Sequence, residues 1–156
     1  VFYSKLTNMD LQAVGLGLGM GGCMVLGTYV AKNVINHVEK EDSMTTREEV
    51  IAYGLSFPNT YQDMPFHDTN WILIRHQKNK KAFLWTYEYE GQMRINIKVD
   101  PQWREFWRNA YEAVLPGYHQ NKEHWNTVIL DGSVPDNDLK RMIAESYDLI
   151  VPKKGN

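Results

Sequence analysis

WILIRHQKNKKAFLWTYEYEGQMRINIKV, residues 71–99, decides the fold. Three runs in it, at 71–76, 81–89 and 92–99, are rich in β-branched and aromatic residues and alternate in polarity, the pattern of half-buried strands. QKNK alone separates the first two runs, and the Glu90-Gly91 turn joins the second to the third. Connections that short leave no room for a parallel crossover, so the three strands form an antiparallel meander.

Upstream, Thr45 and Thr46 stand three residues ahead of Glu48 and Glu49, and either pair predicts a capping box for a helix through about Leu55. Pro58 and Pro65 then bracket SFPNTYQDMPFHDTN, which reads as a turn-rich loop. Downstream, Asp100-Pro101 predicts a helix start, an N-cap followed by proline at the first helical position. That helix is expected to reach about Val114, with Trp103, Phe106, Trp107, Ala110 and Val114 on one face, and to stop at Leu115-Pro116-Gly117. A polar loop, a strand at 127–130 and the Asp131-Gly132 turn follow. The last helix begins near Pro135-Asp136 and sets Leu139, Met142, Ile143, Tyr147 and Ile150 on one stripe. The expected fold is α+β: an antiparallel sheet with helices covering one face.

The totals restrict what such a chain does. Its 156 residues suffice for one domain with an appendage, and 43% hydrophobic against 23% charged residues is a globular composition. A net charge of -2 argues against strong non-specific nucleic-acid binding, though not against a local basic patch. The lone Cys23 excludes an internal disulfide and a multi-cysteine metal cage, and it fits a cytoplasmic protein.

Composition changes abruptly near residue 42, which divides the chain into an apolar, glycine-rich segment at 1–43 and a main domain at 44–156. Leu11 to Ala31 carries no charge. Within it GLGLGMGG, residues 15–22, places Gly17, Gly19 and Gly22 in the G-x-G-x-x-G spacing of a dinucleotide-binding turn. That turn needs a buried strand before it and a second βα unit after it, and neither is present. The segment reads instead as an apolar, glycine-rich N-terminal helix. It is expected to pack on the main domain, to self-associate or dock a protein partner through residues 11–35, or to contact a membrane.

Four stretches carry a specific likeness: TTREEVIAYGLSFPNTYQDMPF at 45–66, RINIKVDPQ at 94–102, PGYHQNKEHW at 116–125 and DLKRMIAESYDLIV at 138–151. In these, residues 44–151 resemble the YjbR/MmcQ family. The resemblance implies a sandwich similar to the CyaY/frataxin-like α+β fold, described as a double wing, and a DNA-binding role inferred for the family. Residues 1–43 lie outside it.

Two candidate surfaces follow. In the 116–125 loop, Lys122 can meet a phosphate, Asn121 a base or phosphate, and Tyr118 or Trp125 can stack on an unpaired base, with His119 and His124 beside them. The competing reading is packing: His119 and Asn121 satisfy backbone groups while Tyr118 and Trp125 fill the core. The hairpin tip adds Arg75, Lys78, Lys80 and Lys81, and Arg94 and Lys98 share one face of a strand. With Arg75 on that side, the sheet would carry a basic strip. Against this, turns are often lysine-rich for solvation alone and edge lysines deter strand pairing.

Chemistry has thinner support. His119 and His124 are five apart, not the i, i+4 spacing that puts two ligands on one helical face. Glu48 and Glu49 are too sparse for the iron-binding ridge that a frataxin-like fold suggests. No cofactor and no catalytic constellation is implied. The expectation is a non-enzymatic protein that binds DNA weakly through the basic hairpin and the 116–125 loop; the alternative is a protein-interaction or small-ligand module. A continuous basic strip favours the first, and a closed apolar pocket beside Tyr118 and Trp125 the second.

Overall fold

The computed structural model describes residues 43–152. The expected N-terminal helix and self-association through residues 11–35 lie outside them. The order of elements is α1 (Arg47–Leu55), β1 (Thr60–Asp63), β2 (Ile72–His76), β3 (Ala82–Tyr89), β4 (Gln92–Lys98), α2 (Arg104–Ala110), β5 (Val114–Pro116), β6 (Trp125–Ile129) and α3 (Asp136–Asp148). The six strands form one sheet in the order β1-β2-β3-β4-β6-β5, antiparallel at every pairing. This is the α+β architecture that the sequence predicts.

Register decides which side chains share a face, because residues directly opposite point the same way. Ile74, Leu84 and Ile97 make one row and Thr86, Ile95, Val128 and Val114 another. Both rows lie under the helices, where Val50 of α1, Trp107 of α2 and Leu139, Met142 and Ile143 of α3 complete the core. The expected stripe is buried throughout: Leu139, Met142, Ile143 and Tyr147 of α3, and Ile150 just beyond its end, are at most 8% exposed. The opposite face carries Leu73, Trp85, Asn96 and Thr127 in one row and Tyr87 and Arg94 in the next.

Local chemistry sets the ends of the elements. Thr46 and Glu49 realise the capping box: the Thr46 hydroxyl accepts from the Glu49 amide, and Glu49 Oε2 accepts from the Thr45 and Thr46 amides at 3.0 and 2.9 Å. The Thr46 hydroxyl and those amides hold the Glu49 carboxyl below its ordinary pKa. The cap is therefore intact near neutrality and is lost as pH falls through that lowered value. Glu90 and Gly91 turn the β3–β4 hairpin with φ of 53° and 73°, the left-handed pair of a type I′ turn.

Two expectations need correction. The helix after Asp100 ends at Ala110, not Val114, because the backbone of Val114 pairs with Val128 of β6 and a strand replaces the last helical turn. Of its predicted apolar face Trp107 is 2% exposed, whereas Trp103 and Phe106 are 49% and 50% exposed. The stretch between Pro58 and Pro65 contains a strand, β1, paired with β2 from Thr60 opposite His76 to Asp63 opposite Leu73. β1 lies at the sheet edge with no fully buried side chain, so it leaves no alternation in the sequence.

One bond across the layers has a measurable consequence. The Ser146 hydroxyl of α3, fully buried, donates to the Phe83 carbonyl at 2.6 Å and accepts from the Lys98 amide at 2.7 Å. It satisfies both strands where the β3–β4 register stops at Leu84 and Ile97. Ser146→Ala strands a buried donor and a buried acceptor, with an expected cost of about 1–3 kcal/mol in equilibrium urea unfolding. Its neighbour Tyr147 donates to the Pro58 carbonyl at 2.8 Å and stacks on Phe57 at 4.7 Å. The Ser146-Tyr147 pair of the 138–151 stretch is therefore a packing device.

Candidate functional site

The face away from the helices carries an aromatic layer. Alternation along β3 puts Trp85, Tyr87 and Tyr89 on it, and Trp71, just before β2, stacks on Tyr87 at 4.4 Å. Trp125 meets Trp85 edge-on at 6.2 Å. Tyr118 stacks on Tyr87 at 5.6 Å and covers the layer from above.

Two loops fold over this layer, each held by a specific device. Asn70 makes paired hydrogen bonds with the Glu88 backbone, donating to its carbonyl at 2.9 Å and accepting from its amide at 2.8 Å. The segment carrying Phe66 and Asp68 is thereby fixed beside β3. The 117–124 loop is pinned from beneath by Asn96, fully buried in β4. Asn96 Oδ1 accepts from the Tyr87 hydroxyl at 3.1 Å and from the Thr127 hydroxyl at 2.7 Å, and its Nδ2 donates to the Tyr118 carbonyl at 2.8 Å. Thr127 Oγ1 in turn accepts from the Tyr118 amide at 2.9 Å. On the far side Arg108 of α2 donates to the Lys122 carbonyl at 2.6 Å and to Asn126 Oδ1 at 2.9 Å.

Between the two loops opens a cleft of about 520 Å³, lined by Phe66, Asp68, Trp71, Trp85, His119 and Gln120. His119 has a φ of 55°, the strained left-handed region for a residue with a side chain, and its ring lies 4.0 Å from that of Tyr118. The indole of Trp71 is 6.1 Å from that of Trp85, with their planes at 85°. Phe66 stands 6.0 Å from Trp85 and is 48% exposed. The indole N–H of Trp85 is buried without an acceptor among the described residues.

The basic residues singled out in the sequence divide into two groups. Arg75 donates to Asp63 at 2.6 Å and to the Lys80 carbonyl at 2.8 Å. Arg94 is 8% exposed, bonded to Gln92 at 2.7 Å, 3.7 Å from Glu90 and 4.7 Å above the Tyr89 ring. Both guanidinium groups are thus engaged within the domain, Arg75 by Asp63 and Arg94 by Gln92 and Glu90. Lys98 lies 4.9 Å over the Trp125 ring; burial, and then the charge of Lys81, pushes its ammonium below the ordinary lysine value. Lys78, Lys80, Lys81 and Lys122 are at the surface, with Lys80 5.1 Å above the Tyr61 ring.

The 116–125 loop divides in the same way. Trp125 is 8% exposed and cannot present a face to a base. Asn121 builds its own turn, its side chain accepting from the Glu123 amide at 2.8 Å. His124 is exposed, and its carbonyl accepts from Val99 at 2.9 Å. Of the predicted loop residues only His119 reaches the cleft. Phe66, Asp68, Trp71, Trp85 and Gln120 escape the sequence reading, although the i, i+2, i+4 aromatics of β3 mark a second apolar face.

Among the described residues no three His, Cys, Asp or Glu side chains are grouped to hold a metal, and no helix is long and apolar enough to cross a membrane.

Known proteins resemble this chain in sequence and in fold. The Escherichia coli K12 protein named uncharacterized protein YjbR is 29% identical over 68% of this chain and 87% of its own length. The Bacillus subtilis protein YyaQ is 30% identical over 68% of this chain and 98% of its own. Among solved structures, Deinococcus radiodurans DR2400, a DUF419 domain, superposes with a TM-score of 0.65 at 29% identity over 74% of this chain and 86% of its own. A Pseudomonas syringae protein does so at 0.63 and 26% identity, over 68% and 99%. The YjbR family model matches residues 55–149, from the end of α1 through α3 and across both loops of the cleft, and the chain belongs to the YjbR family.

Proposed function

We propose that this domain is a non-catalytic binding module that takes a small, largely apolar ligand in the aromatic cleft. The observation that carries this reading is the cleft itself: about 520 Å³, walled by Phe66, Trp71, Trp85 and His119 with Asp68 and Gln120 as its polar groups. Its size and apolar lining with a few polar side chains are those of a small-molecule pocket. Tryptophan fluorescence read against a panel of small ring compounds and small organic cations tests it. A ligand that quenches saturably should lose about tenfold in affinity in Phe66→Ala, since a half-exposed ring touches little else. Saturable quenching unchanged in Phe66→Ala and Trp71→Phe, or no quenching by any compound, overturns it.

DNA binding is the second reading, and one observation favours it: Lys81 and Lys98 lie close enough at the end of the aromatic face for the charge of one to depress the other. The surface residues Lys78 and Lys80 extend that cluster along the β2–β3 tip, a shape suited to gripping phosphates within the double-wing arrangement the family resemblance implies. Arg75 and Arg94 are not part of it. Changing Lys78, Lys80 and Lys81 together to Ala should flatten the slope of log affinity against log salt by about 0.9 for each phosphate that the variant no longer neutralises. An unaltered slope, or no binding at low salt, rules this reading out.

A further inference from the structure

We propose that the cleft receives a methylated ammonium group, the head of a quaternary amine; this rests on the cleft being a ligand site and names what occupies it. The argument begins with the angle between the walls. The indoles of Trp71 and Trp85 meet edge to face, at 85° with centroids 6.1 Å apart, so they form a corner and not a slot that would sandwich a flat ring. Phe66 adds a third ring, 6.0 Å from Trp85 and tilted by 38°. Tyr87 covers one face of Trp71, and the corner that the remaining ring surfaces line suits a compact group better than a flat one. Each face carries the negative end of the ring quadrupole, and a cation within about 6 Å of a centroid is drawn to it.

Charge points the same way. Among the described residues Asp68 is the one formally charged side chain in the lining, and no Lys or Arg lines the cleft. One Asp68 oxygen accepts from the Asn70 amide at 2.9 Å, which ties the carboxylate to the loop that borders the cleft. An anion would therefore meet a carboxylate and aromatic ring faces, with only the Gln120 amide and the His119 ring to donate to it.

The lining also discriminates among cations. A hard metal ion needs six or more oxygens, whereas the cleft offers one carboxylate, one amide, one imidazole and largely apolar walls. Methyl groups on nitrogen need no acceptors and spread the charge over a surface that packs against rings. A site of several aromatic faces with one carboxylate suits that chemistry, and cation–π contacts are strongest when both partners are shielded from water.

The shared chemistry has two natural sources, a free solute such as choline or betaine and a trimethylated lysine side chain on a protein. Titration of the full chain, followed by tryptophan fluorescence and calorimetry, tests the assignment with four probes: choline, glycine betaine, a trimethyl-lysine peptide and the neutral carbon analogue 3,3-dimethylbutan-1-ol. At least one cation should saturate, with the neutral analogue at least tenfold weaker. Asp68→Asn should weaken that cation about tenfold and leave the neutral analogue unchanged. Tightest binding by choline or betaine identifies a solute, and tightest binding by the peptide identifies a modified protein. Equal affinity for cation and neutral analogue, or no saturation by any cation, overturns the assignment. In that case saturable quenching by a neutral ring compound that Phe66→Ala abolishes would still leave the ligand cleft standing.

Discussion

Asn96→Ala is expected to lower the stability of this domain by about 4 kcal/mol, because it leaves two buried hydroxyls and a half-buried carbonyl without this partner at roughly 1–3 kcal/mol each. The side chain is fully buried in β4, where it accepts from the Tyr87 and Thr127 hydroxyls and donates to the Tyr118 carbonyl. Domains of this size have about 5–15 kcal/mol in total, so the change removes a large part of it. A shift of the urea midpoint at constant m-value is the measurement. Thr127→Val keeps the shape and removes one hydroxyl, which strands the Tyr118 amide and one lone pair of Asn96, and about 2 kcal/mol is expected. A loss below about 1 kcal/mol in Asn96→Ala would mean that water reaches the network, contrary to its burial.

Gly117→Ala is the second large effect. A Cβ there would lie 2.7 Å from Trp125 Cβ and 2.9 Å from the Trp125 carbonyl oxygen, in a position where the Gly117 amide already donates to that same oxygen at 2.9 Å. A neighbouring backbone cannot swing aside as a flexible side-chain tip can. The strands must part, with an expected cost of about 2–4 kcal/mol and a fall in melting temperature of several degrees per kcal/mol. Gly91→Ala gives the comparison. Its φ is 73° but nothing lies within 4 Å, so only the left-handed strain applies, about 1 kcal/mol. If Gly117→Ala costs no more than Gly91→Ala, close approach is not the reason for the glycine. Because Tyr118 and His119 follow directly, Gly117→Ala should also disturb the cleft, and any cleft ligand should bind more weakly.

The meander was legible because its connections are short and its strands alternate, and the last helix because its apolar stripe is regular from Leu139 to Ile150. Val114 shows where such reading stops. It lies in helical phase with Trp107, yet Val128 of β6, beyond the whole 117–124 loop, offers its backbone a partner, and nonlocal pairing wins over periodicity. For the site, residue type exposed the candidates but not their allegiance. Arg75 and Arg94 look free in sequence; Asp63 and Glu90 claim them only once strands are in register. Trp71 and Phe66, by contrast, sit near turns and acquire meaning only when Asn70 clips their loop to β3.

The two margins of the sheet set a limit on how this domain can associate. Among the described residues its outermost strands are β1, of four residues, and β5, of three, and β5 ends on a proline that has no amide proton to offer. An incoming strand would find too few main-chain partners at either border to offset the entropy of its own ordering. Open-ended growth by strand addition, the route to fibres, is therefore blunted at both borders. Association of this domain falls to its broad surfaces.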